Sequence, residues 1–226
     1  MKTKILIAAT IILLWSSSAK AQDEGFSIGI RAGLNVQNIN GKDLTGDKLE
    51  LNLVPRFHAG VVAEIPVAPE FYFQPGLLFT TKGAKSDNEF LGIDMSAEYN
   101  LSYLELPLSF VYKPQLGEGH FFLGFGPYIS YGIGGKAKFN VQNVSTEDDI
   151  VFEKEYESLN PAQWKYFKSL DFGGNIFFGY ELVNGLSLQL NAQLGLAKIN
   201  SENTAVPDED AEFRNTGFGL SLGYNF

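Results

Sequence analysis

Leu186-Ser187-Leu188-Gln189-Leu190-Asn191-Ala192-Gln193-Leu194-Gly195-Leu196 places an aliphatic side chain at every even position and Ser, Gln, Asn or Gly at every odd one. A period of two marks a β-strand, whose successive side chains point to opposite faces. In water the aliphatic face would need a core to cover it. In a lipid bilayer the bilayer itself covers it, and the small polar face turns inward.

The same alternation recurs along the chain. Phe26, Ile28, Ile30, Ala32, Leu34 and Val36 share one face of the first such segment, opposite Ser27, Gly29, Arg31, Gly33, Asn35 and Gln37. Further alternating segments cover about 55–65, 71–82, 99–113, 120–134 and 170–182, and the chain ends on Phe218, Leu220, Leu222, Tyr224 and Phe226. Each is roughly as long as the 9–11 residues of a tilted membrane strand, or slightly longer. The links alternate as well. Those at 66–70, 115–119 and 183–185 are short, and Asn184-Gly185 is a strong hairpin signal. Those at 38–54, 83–98, 135–169 and 197–213 are long. Together they predict an all-β fold, an eight-stranded antiparallel up-and-down transmembrane β-barrel with short periplasmic turns and long outer loops. Pro75 and Pro107 read as local irregularities, since proline removes a ladder donor. A secreted lipocalin-like barrel has the opposite burial. An eight-strand interior is too narrow to hold this many Leu and Phe.

Residues 1–21 read as a signal peptide. Lys2 and Lys4 precede an apolar run from Ile5 to Trp15, and Ala19-Lys20-Ala21 is a small-x-small cleavage site. The run is too short to span a bilayer, which needs roughly 20 apolar residues. The barrel domain is then 22–226, exported to a Gram-negative outer membrane. Cleavage after Ala21 removes three lysines and no acid, so the formal net charge of −9 becomes −12. Such acidity argues against nucleic acid as a partner. With no Cys, the chain has no disulfide, thiolate metal site, cysteine nucleophile or lipoprotein anchor.

Gly29-Ile30-Arg31-Ala32-Gly33-Leu34-Asn35, Phe73-Gln74-Pro75-Gly76-Leu77-Leu78-Phe79-Thr80-Thr81-Lys82-Gly83, Tyr103-Leu104-Glu105-Leu106-Pro107-Leu108, Gly124-Phe125-Gly126-Pro127-Tyr128 and the Tyr224-Asn225-Phe226 end carry a resemblance. Taken together they resemble the PorT-like outer-membrane β-barrel family of Bacteroidota, across essentially the whole mature chain. The resemblance implies an outer-membrane location and a small barrel like OmpX or OmpA. It implies no reaction. The namesake assists a secretion system, a role the resemblance does not transfer.

Arg31, Glu64 and Glu105 all project inward and form a candidate lumenal charge network, because a buried charge in a narrow interior needs a partner. Switching of Arg31 between the carboxylates would make a gate for small solutes, the narrow-channel alternative. A membrane-embedded hydrolase or acyltransferase would need a base, and of the two histidines only His58 is placed for it. His120 lies on the opposite rim, and no Gly-x-Ser-x-Gly motif occurs. Glu147, Asp148 and Asp149, and Asp208, Glu209, Asp210 and Glu212, cluster in long loops without ordered calcium-loop spacing. No cofactor is expected.

Trp164, Tyr166, Phe167, Tyr99, Tyr103 and Tyr131 are expected to form an interfacial aromatic girdle at the outer rim. Lys136, Lys138, Lys165, Lys168 and Arg214 lie at a similar height and are candidates for lipopolysaccharide phosphate contacts, or ordinary solvated rim charge. Tyr224 and Phe226 form the C-terminal assembly signal read by barrel-assembly machinery. The expected role is non-enzymatic and structural, adhesive or secretion-accessory. The partner is an extracellular or secretion component, met through the loop at 135–169.

Overall fold

The computed structural model describes residues 25–42, 46–90, 93–142, 144–157, 165–205 and 211–226, with backbone alone at 88–90 and 93–94. Eight long strands form one sheet: β1 (Ser27–Lys42), β2 (Val54–Ala68), β3 (Phe71–Phe90), β4 (Ile93–Tyr112), β5 (Gly119–Val141), β6 (Leu170–Glu181), β7 (Leu186–Gly195) and β8 (Glu212–Asn225). Every strand pairs antiparallel with its sequence neighbours, and β8 returns to pair with β1. The ring is closed, so the barrel has no sheet edge in the lipid-facing zone, as a bilayer demands.

The alternation decides the faces. Leu34, Phe125, Phe218 and Leu222 are among many large apolar side chains exposed on the outside, while Asn35, Gln37, Gln189 and Ser221 are buried within. On β1 the outward apolar row runs from Phe26 to Val36. Eleven residues at about 3.4 Å each, tilted about 40°, give a band of roughly 25 Å, the height of an outer-membrane barrel.

Above that band the pattern changes phase. Ile39, Ala84, Tyr99, Leu101, Tyr103 and Ala137 are buried inside the ring. Lys85, Lys136 and Lys138 stand exposed. On β5 the switch has a local cause. Tyr103 pairs with Gly132 and Ser102 with Gly134, so Ile133 is an extra residue and its bulge reverses the side-chain parity above it. Water replaces lipid as the outer solvent, and the apolar residues turn inward to match. The sequence-based boundaries therefore stop short. Segments 38–42, 83–90, 93–98, 135–141 and 212–213 are strand rather than loop.

The described residues between β5 and β6 build a crown over the mouth. Val144–Asp149 pairs with the outer part of β5, and Val151–Phe152 runs parallel to Tyr166–Phe167. Phe167 and Ile199 are buried almost completely against Tyr99 and Tyr103. The Tyr99–Phe167 and Tyr103–Phe152 ring centroids are 5.6 and 6.0 Å apart. The mouth is therefore filled by an apolar core.

This corrects the expected outer aromatic girdle. Tyr99, Tyr103 and Phe167 are core residues, because their positions have inward parity above the phase change. Tyr131 does face outward, Tyr166 is half-buried, and Trp164 lies outside the described residues. At the rim of the short turns, exposed Phe71, Tyr112, Tyr224 and Phe226 form two ring pairs at the lower edge of the band.

Candidate functional site in the barrel lumen

Below the crown, inward side chains fill the barrel in three polar layers. The lowest centres on Lys113, just past the end of β4. Its Nζ lies 2.8 Å from Glu64 Oε2 on β2 and 2.7 Å from Glu181 Oε1 on β6. Gln74 on β3 donates to Glu64 Oε1 at 2.9 Å and accepts from Arg31 Nη2 on β1 at 3.0 Å. Asn225 on β8 donates to Glu181 Oε2 at 2.6 Å. Two cations and two carboxylates thus join strands from around the ring.

The upper layer centres on Lys82, whose side chain is fully buried. Its Nζ lies 2.9 Å from Glu105 Oε2 and 3.0 Å from Asp171 Oδ2, and 4.1 Å from the centroid of the Tyr128 ring. Ser130 and Gln193 donate to Glu105, and Asn215 donates to Asp171. Desolvating three charges is costly unless their remaining lone pairs are bonded, and here they are.

The sequence expectation grouped Arg31, Glu64 and Glu105. The structure places Arg31 and Glu64 in one layer, bridged by Gln74, and Glu105 in the other. Lys82, Asp171 and Glu181 were not singled out, although each has inward parity on its strand. A charge at an inward strand position is the signal that finds them.

Between these layers His58 is held from both sides. Its Nδ1 lies 3.0 Å from Asn35 Oδ1, and Ser221 Oγ lies 2.9 Å from its Nε2. With the Asn35 oxygen accepting at Nδ1–H, Nε2 is left to accept from the serine hydroxyl. Gly33 makes this possible, because a Cβ there would stand 2.6 Å from the His58 ring. The order Ser–His–Asn matches a nucleophile relay. Catalysis needs two more things. Ser221 sits mid-strand with Gly33 and Gln189 opposite it in unbroken ladders, so its backbone N–H serves the barrel rather than an oxyanion. The adjoining cavity, lined by Arg31, His58, Gln74, Glu105 and Gln189 among others, is about 40 Å³. That is room for a water or a few, and too small for an acyl substrate. The relay packs the lumen.

At the outer rim, Lys136 and Lys138 both reach Glu147, Lys168 pairs with Glu202 at 2.7 Å and Arg214 with Glu212 at 2.9 Å. Lys165 is half-buried, and its carbonyl accepts from Val151. Asp208, Glu209 and Asp210 lie outside the described residues. The hydrogen bond from Lys136 holds the Glu147 carboxyl below its ordinary value, and Glu147 raises the Lys136 ammonium in return. A carboxylate with a depressed pKa stabilises the fold above its unfolded value and ceases to as pH falls through the folded one. Acidification below 4.5 should therefore loosen the hairpin from Lys136 to Asp149. Amide exchange of Val144–Asp149 should rise there while β7 and β8 stay protected; unchanged exchange would show that the pair contributes nothing.

A closed ring with aliphatic residues outside and ion pairs inside fits a lipid solvent. The sequence matches the outer membrane protein beta-barrel domain family over residues 18–201. The chain belongs to that family. It is an integral outer-membrane β-barrel protein. No curated protein matches the sequence at a significant level. Solved structures with a similar fold include Ail, the attachment invasion locus protein of Yersinia pestis, in complex with the heparin analogue sucrose octasulfate. It is 13% identical, with 89% of this chain and 99% of that one covered at a TM-score of 0.39. Neisserial surface protein A is 11% identical over 90% of this chain and 100% of its own, at 0.44. The outer membrane protein OprG from Pseudomonas aeruginosa is 16% identical over 89% and 96%, at 0.42.

Proposed function

We propose that this outer-membrane barrel is a closed, non-enzymatic scaffold that displays its crown to an external or secretion partner. One observation carries the reading: two ion-pair layers and an apolar cap block the lumen at three heights. The direct test is conductance. Purified protein in planar bilayers should give no stepwise current; regular steps would favour the narrow solute channel. The hydrolase alternative has its own check. A fluorophosphonate probe should leave Ser221 unlabelled, and labelling lost in His58→Ala would revive it.

Several finer assignments belong to the same proposal. Residues 1–21 act as the signal peptide, so mature protein from the outer membrane should begin at Gln22. Within the family, the quoted stretches favour the PorT-like group. Tyr224 on the last strand and Phe226 just past its end, both exposed, suit recognition by the barrel-assembly machinery. Lipopolysaccharide phosphates can reach Lys136, Lys138, Lys165, Lys168 and Arg214, but at four of the five they compete with a carboxylate of the chain itself. Such contacts should be weak and salt-sensitive.

A further inference from the structure

The wall of the barrel is not uniform around the ring. From β5 through β6, β7, β8 and β1 to β2, every ladder runs without a missing rung. Each of the three remaining seams carries a gap across which the register is kept. Between β2 and β3 the ladder passes from Val62↔Gly76 to Ile65↔Phe73, omitting the rungs at Pro75 and Gln74. Between β3 and β4 it passes from Leu78↔Glu105 to Pro75↔Leu108, omitting those at Gly76 and Leu77. Between β4 and β5 it passes from Pro107↔Tyr128 to Phe110↔Phe125, omitting those at Leu108 and Ser109. A proline flanks or occupies each gap: Pro75 on β3, Pro107 on β4 and Pro127 on β5.

Proline has no N–H to give a ladder, and central strands ordinarily exclude it. In hydrocarbon the exclusion is stronger, because no water satisfies the freed carbonyls. Three prolines at one height on three adjacent strands are therefore a local weakness in an otherwise closed wall. Behind that weakness lies the lumenal cavity, and Gln74, Leu78, Glu105, Pro107 and Ser109 of the interrupted strands line it. Gly76 leaves the space into which the Pro107 ring packs, since a Cβ there would lie 3.1 Å from Pro107 Cγ. Gln37 and Gln189, each over nine-tenths buried, line the opposite side with side-chain oxygens that lack a protein partner.

We propose that β3 and β4 form a compliant panel in a rigid frame made by β6, β7, β8 and β1. Its opening is the route by which small solutes reach the lumenal cavity from the side of the barrel. The crown and the lower ion layer stay closed while the panel moves. Lateral exchange with the cavity therefore needs no axial pore, and the proposal goes beyond the closed-scaffold reading without depending on it.

Full-length protein in lipid nanodiscs tests it by amide exchange. Gly76, Leu77, Leu106, Ser109 and Gly126 should exchange at least about tenfold faster than Leu34, Leu190 and Leu220, which lie in unbroken ladders. Pro75→Val, Pro107→Val and Pro127→Val together should remove most of that difference. Equal protection in the wild type would overturn the panel, whatever the variant does. A second readout uses the absence of cysteine from the chain. Ser109 on the panel and Ser221 on the frame are equally buried, at 2% and 1% exposure. N-ethylmaleimide should modify Ser109→Cys at least about tenfold faster than Ser221→Cys if panel opening limits access. Equal rates would again overturn the proposal.

Discussion

Lys82→Ala is expected to destabilise the barrel by about 3–5 kcal/mol, the usual cost of stripping the partner from buried charges. The substitution leaves Glu105 and Asp171 facing each other without the ammonium that lies 2.9 and 3.0 Å from them. Urea unfolding in lipid vesicles, followed by tryptophan fluorescence and by loss of heat-modifiable migration, gives the measurement. Adding Glu105→Gln and Asp171→Asn to Lys82→Met should recover much of the loss, because a neutral layer has nothing to leave unpaired. A single mutant as stable as the wild type would mean that water enters the upper layer and solvates the carboxylates. The lower layer should respond less, because Lys113, Glu64 and Glu181 keep some contact with solvent at the short-turn end.

Leu220→Arg should have the second largest effect and separates membrane from soluble barrel. Leu220 is half exposed, in one outward row with Leu34 and Leu190 near the middle of the band. In water, replacing an exposed leucine changes stability by no more than about 0.5 kcal/mol. At the bilayer midplane an arginine costs about 2–4 kcal/mol. The same change at Val144, exposed on the crown, should be close to neutral. Equal effects at the two positions would remove the lipid-facing assignment of β8. Both variants keep the lumen intact, so changes in packing do not confuse the comparison.

These expectations rest on parity, which was also what the sequence made legible. Strand number, ring order, the side of the short turns and the lipid face all followed from alternation such as that of Leu186 to Leu196. The same rule failed where its solvent changed. Above Ile133 the apolar positions turn inward, so Tyr99 and Tyr103 looked like girdle residues and the strand at 135–141 looked like loop. The lumenal pairs were half legible. Inward charge was visible at Arg31, Glu64 and Glu105, but ion pairing depends on strand stagger around a closed ring, and no local pattern encodes that. Ser221 could not have been joined to His58 from sequence, because 163 residues separate them and only closure of β8 on β1 brings them together.

The exchange of faces at the top of the band also serves as a depth gauge. On β1 it falls between Val36 and Ile39, and on β5 at Ile133, marking where oil gives way to water. Moving that bulge by two residues along β5 would shift the waterline by about 5 Å, allowing for strand tilt. The other strands would need matching changes of residue for the whole barrel to suit a thicker or thinner leaflet. On β5 the position of the waterline is in this sense written into one inserted residue, and on β1 into the choice of residues alone.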